Sequence, residues 1–169
     1  MTSAAFLRRV DLFADFTEPE MKALAGLFEE KRFEGGARIV GEGETADSFF
    51  IIQSGHVQVV RGPKSSYLAA LGEGQYFGEA ALFQDIRRIA SVEADGPVTA
   101  LVISRDAFDR FENEAPQAST RVLRRIIKSL VLRLEKTSAR LGKARESDVE
   151  DAEIERLVLD DLGMMSWKI

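Results

Sequence analysis

Glycine is crowded into one stretch of this chain. Ten of its 13 glycines fall between Gly35 and Gly96. At that density the backbone must turn every few residues. Between the glycines lie short runs rich in β-branched and aromatic residues: "ARIV", "SFFIIQ", "HVQVV", "YLAAL", "ASVEA" and "VTALVI". Their spacing predicts an antiparallel β sandwich or barrel, not a helical bundle.

The flanks read differently. Residues 3–31 read as helical, with Leu7, Val10 and Phe13 at helical spacing. A second start signal follows, with Thr17 as N-cap, Pro19 early and Glu20 three residues after the cap. After the β zone, "SRDAFDRFENEA" reads as a short helix capped by Ser104 and ended before Pro116. A long helix is expected from Ala118 to Lys143. In it Leu123, Ile127, Leu130, Leu134, Thr137 and Leu141 follow a heptad spacing that asks for a partner helix. The predicted fold class is therefore α+β: an antiparallel sandwich or barrel with N-terminal helices and a long C-terminal dimerisation helix. Its expected parts are residues 1–115, residues 116–145 and residues 146–169, the last an acidic short helix with an apolar tail.

Composition removes several functions. Zero cysteines and a single histidine, His56, rule out thiolate zinc sites, Cys-ligated clusters and multi-imidazole metal centres within one chain. No metal and no enzymatic activity are expected. The apolar runs fall far short of the ~20 residues a membrane span requires, and no signal-peptide core opens the chain. We expect a cytoplasmic protein that binds neither membrane nor DNA, the latter because the net charge is −5. The charge is unevenly placed. Residues 116–145 carry nine Lys/Arg and one Glu, whereas residues 146–161 carry eight Asp/Glu and one Arg. The acidic half is expected to fold back on the basic helix.

The stretch "FGEAALFQDIRRIASV", residues 77–92, holds the chemistry. Gly78 admits a backbone geometry that a side chain would obstruct. The N–H groups that open a short helix at Ala80 and Ala81 have no intrahelical acceptors, so they offer an anion site. Arg88 can reach the same anion with a charge-assisted fork. Glu79 only accepts hydrogen bonds, which suits a sugar hydroxyl better than a phosphate. On spacing alone, a surface ion pair between Glu79 and Arg88 explains the two residues equally well.

This stretch resembles the phosphate-binding cassette of the cyclic nucleotide-binding domain family. The family pattern F-G-E-x-A-L, then R-x-A-[ST]-V, is met by Phe77, Gly78, Glu79, Ala81, Leu82, Arg88, Ala90, Ser91 and Val92. The resemblance runs from residue 6 to about residue 143, takes in Gly43, Asp47 and Gly55 at the family's usual turn positions, and implies that the antiparallel part is the family's β jelly roll. It implies that Glu79 accepts from the ribose 2′-hydroxyl, with the Gly78 backbone beside it. It also implies that Arg88 binds the exocyclic phosphate oxygens and that the N–H groups of Ala81 and Ile89 complete the phosphate shell, between Ala80 and Ala90. Val59, Leu68, Ala69 and Leu71 fall where the family lines its sugar and base pocket. Ile89 stands where cGMP-selective members often carry a hydroxyl, which favours cAMP as the ligand over cGMP. "RLEKTSARLG" resembles the dimer helix of the family's transcription factors, in which adjacent Thr and Ser meet adenine, so Thr137 and Ser138 are candidates for the base. Trp167 is a rival lid.

Only 26 residues follow Lys143, which is too few for a winged helix-turn-helix. The expectation is thus a stand-alone receptor, homodimeric through residues 118–143. Nucleotide binding would reposition its C-terminal helices and regulate an effector protein. The alternative is a degenerate domain serving as a dimeric scaffold without ligand.

Overall fold

The computed structural model describes residues 3–63, 65–83 and 85–146, and beyond Leu132 it describes side chains only at Glu135, Ser138 and Ala139. The acidic segment and Trp167 lie outside the described residues.

Helix α1 (Ser3–Leu7), a 3-10 turn (Asp11–Phe13) and helix α2 (Glu18–Ala25) open the chain. Thr17 and Glu20 form a reciprocal capping box, with the Glu20 carboxylate accepting from the Thr17 N–H at 2.9 Å. Helix does not continue to residue 31. Strand β1 (Glu29–Phe33) begins first, and its charged, mostly exposed sequence "EEKRF" carries no period-2 signal by which to recognise it. Then come β2 (Arg38–Val40), β3 (Thr45–Ala46), β4 (Ser48–Arg61), β5 (Ser66–Leu71), β6 (Tyr76–Phe77), β7 (Ile86–Arg87) and β8 (Ser91–Ser104). Helix α3 (Arg105–Glu114) and helix α4 (Pro116–Glu146) close the described chain, with only Ala115 between them.

Every pairing is antiparallel. The main sheet runs β1-β8-β4-β5, with β2 also on β8 and β6 on β4, and β3 pairs β7 separately. Two pairs of runs, each pair expected as separate strands either side of a glycine, are single 14-residue strands, β4 and β8. Both stay continuous because glycine absorbs the bend. The β4–β8 register shifts on either side of Ser54, and Gly55 takes φ +87. A Cβ at Gly55 would sit 2.3 Å from the Pro97 carbonyl oxygen, so the two chains cross here at a distance only glycine permits.

The alternation of β4 and β8 divides the interior in two. Phe49, Ile51, Leu101 and Ile103 face one core, shared with the helices. Phe50, Ile52, Ala100 and Val102 face the other, inside the roll. Helix α3 is capped as the sequence predicts, the Ser104 side chain accepting from the Ala107 N–H at 3.2 Å. Val122 and Ile126 of α4 are buried in the helical core. Arg121 and Arg125 tie the same helix to Glu20 and Asp15.

Candidate functional site

The cassette is built outward from β6. Phe77 stacks flat on Phe50 of β4, with ring centroids 4.7 Å apart and planes within 4°. Gly78 then turns the chain with φ 81 and ψ 18, in the left-handed region. A 3-10 turn, Glu79–Leu82, follows. Ala81 and Leu82 are buried, and Leu82 enters the helical core, so the turn is anchored from beneath. The Ala81 N–H, a candidate phosphate donor, donates to the Gly78 carbonyl at 3.1 Å and closes the turn.

The return strand brings Arg88 back. Residues Ile86–Arg87 pair with Thr45–Ala46. Past that ladder the Arg88 N–H donates to the Glu44 carbonyl and the Gly43 N–H donates to the Arg88 carbonyl, each at 2.8 Å. The Arg88 side chain is 9% exposed. One terminal nitrogen donates to the Ser48 carbonyl at 2.8 Å, and the guanidinium carbon lies 5.7 Å from the Phe50 ring centroid. None of the ion pairs among the described residues includes Arg88. Burial draws its pKa down, and the nearby charges of Asp47, Glu44 and Glu79 work against that. An arginine stays charged under such opposition. The result is a buried cation fixed by a neutral carbonyl and an aromatic face, an arrangement that suits an incoming anion.

The other expected residues fall into two groups. Ala80 and Ile89 are exposed, Ile89 at 66%, and Gly78, Glu79 and Ala90 are half-buried along the same cassette. Leu68, Ala69 and Leu71 of β5 are buried, and Val59 packs part-buried against the roll core. Ser138 is exposed on α4, while the Thr137 side chain lies outside the described residues. Sequence reasoning missed Ser48 and Phe50, which position Arg88 from a strand 38–40 positions earlier. It also missed Arg105, which binds the cassette from α3. Among the described residues no group of three or more His, Asp or Glu side chains is placed to hold a metal ion. No described helix is long and apolar enough to cross a membrane.

Known proteins resemble this chain in sequence and in fold. The sequence pattern that defines the cyclic nucleotide-binding domain matches residues 30–114. A cAMP-dependent protein kinase regulatory subunit of Yarrowia lipolytica is 33% identical over 105 residues, which cover 62% of this chain and 28% of that protein. A cGMP-dependent protein kinase of Caenorhabditis briggsae is 36% identical over 110 residues, covering 62% of this chain and 15% of the relative. The chain therefore spans well under a third of the curated relatives it matches. Among solved structures, a cyclic nucleotide-binding domain from Methylobacillus flagellatus superposes with TM-score 0.70 at 25% identity, covering 82% of this chain and 80% of the other. The regulatory domain of Toxoplasma gondii protein kinase A, solved with cAMP, gives TM-score 0.63 at 25% identity, covering 75% and 49%.

Proposed function

The chain belongs to the cyclic nucleotide-binding domain family, and we propose that it is a receptor that takes cAMP in preference to cGMP. The observation that carries this reading is the state of Arg88. Its guanidinium is buried, fixed by the Ser48 carbonyl and the Phe50 ring, and held in no ion pair among the described residues. A buried charge is costly without an opposite charge, and a nucleotide phosphate supplies one. Glu79, at the start of the facing turn, takes the ribose hydroxyl. Ile89, apolar and exposed beside Arg88, offers guanine no hydrogen bond.

The receptor acts as a homodimer through α4. Ile127, Leu130 and Val131 are 54%, 41% and 50% exposed on that helix, an apolar surface that a second α4 would cover. Ser138 of the paired helix then closes over the base. Binding shifts α4 and changes what the segment after it presents to an effector protein. A nucleotide can drive such a shift only through unequal affinity for the two arrangements.

Titration calorimetry with cAMP and cGMP tests the reading, with Arg88→Ala and Glu79→Ala as controls. Heat with cAMP that both variants lose is expected. No heat with either nucleotide would sink the receptor reading and leave a scaffold without ligand.

A further inference from the structure

Arg105 stands where its own helix disfavours it. It is the first residue of α3, and a cation there meets the positive end of the helix dipole. Yet its side chain is only 22% exposed and fully engaged. The Nε donates to the Ala81 carbonyl at 2.5 Å and one terminal nitrogen to the Ala46 carbonyl at 2.8 Å. The other terminal nitrogen pairs with the Asp85 carboxylate. These acceptors lie on the cassette turn, on β3 and on the connection leading into β7. The Arg105 N–H adds a fourth tie, to the Asp47 carbonyl at 2.8 Å.

These three bonds differ in weight. Asp85 is 93% exposed, and a pair with so wet a carboxylate contributes little. The two carbonyl bonds are part-buried and fix the geometry. Reaching two carbonyls and a carboxylate at once needs the fork of a guanidinium, which a lysine ammonium lacks. A local rule broken with this much compensation points to a role. On the far side, α3 passes to α4 through Ala115 alone, and Phe108, Phe111, Val122 and Ile126 share one core.

We infer that Arg105 is a positioning residue that, beside the buried Leu82, joins the cassette to the α3–α4 unit, so that a rearrangement of residues 79–88 moves α4. This rests on the nucleotide reading for its trigger, but not for the link itself. The coupling is reciprocal: the placement of α4 biases the cassette by the same amount.

Hydrogen–deuterium exchange across residues 116–132 tests it in wild type, Arg105→Ala, Arg105→Lys and Asp85→Asn. With saturating cAMP, the exchange rates in wild type should change by about fivefold or more. The change should fall clearly in Arg105→Ala, fall less in Arg105→Lys, and persist in Asp85→Asn. An unreduced change in Arg105→Ala at equal occupancy overturns the inference. A second arm needs no nucleotide: Arg88→Ala perturbs the cassette directly. Its effect on α4 exchange should be larger with Arg105 than with Arg105→Ala. If wild type gives no heat with cAMP, the nucleotide reading fails and this arm alone decides. An Arg88→Ala effect that is the same with and without Arg105 overturns the link.

Discussion

A Cβ on Gly78 would sit 2.5 Å from a terminal nitrogen of Arg88 and 2.9 Å from the Ser48 carbonyl oxygen. The glycine thus does two things. It adopts the left-handed φ of +81, and it leaves the space in which the guanidinium lies against β4. Gly78→Ala should lose about 1–2 kcal/mol of stability from backbone strain alone. It should also lose more than about tenfold in nucleotide affinity, because Arg88 is displaced, and about 1.4 kcal/mol of misplaced charge suffices for that. Thermal unfolding and calorimetry separate the two effects. Unchanged affinity would show that Arg88 does not depend on this space.

Arg88→Lys asks whether the fork matters or only the charge. A lysine can reach the Ser48 carbonyl or a phosphate, whereas arginine can hold both. The expected loss is about 2 kcal/mol or more, or roughly thirtyfold in Kd. Free-protein stability should change far less, since a buried cation with no ion-pair partner among the described residues stabilises little. A lysine variant binding as tightly as wild type would reduce Arg88 to a point charge.

Glu20 predicts a pH dependence. Its pKa is lowered from 4.5 to about 2, first by the Thr17 N–H, then by the Arg121 and Thr17 side chains. A carboxylate with a depressed folded pKa contributes stability that is present above its unfolded value and is lost as pH falls toward the folded one. Wild type should therefore exceed Glu20→Gln in stability at neutral pH, and the gap should close between about pH 4.5 and pH 2. A gap that widens on acidification would contradict the assignment. Thermal unfolding of both proteins across that range reads it directly.

Neighbouring positions on α4 should behave oppositely. Ile126 is 1% exposed in the helical core, and Ile126→Ala should cost about 2–4 kcal/mol. Ile127 is 54% exposed, and Ile127→Lys with Leu130→Lys should leave the monomer's unfolding nearly unchanged while abolishing self-association. Sedimentation velocity at several concentrations distinguishes them. A wild type that stays monomeric throughout would remove the dimer from the proposal.

What was legible in the sequence was local. The cap at Ser104, the box formed by Thr17 and Glu20, and the cassette motif each rest on residues a few positions apart. What escaped was long-range. Nothing near Ser48 announces that its carbonyl holds Arg88, and Ala46 meets Arg105 across 59 positions. Glycine misled in a specific way. Gly55 and Gly96 look like strand breaks, but each bends a strand that continues. A faint signal did exist for Arg105, since an arginine immediately after an N-cap serine is out of place on electrostatic grounds.

The bend in β4 sets limits on how this domain can diverge. Before it, Phe50 and Ile52 face the roll; after it, Val57 and Val59 do, so the step from Ile52 to Val57 is odd. On β8 the corresponding residues, Val92, Ala94, Val98, Ala100 and Val102, keep one parity throughout. The two strands are thus out of step by one residue, and the mismatch is confined to the crossing of Gly55 with Pro97. Deleting a single residue elsewhere in β4 would turn every later side chain to the opposite face of the sheet. Lineages of this domain should therefore gain and lose length in the hairpin beyond Arg61 and in the surface turns, while the span from Ser48 to Arg61 keeps a fixed count.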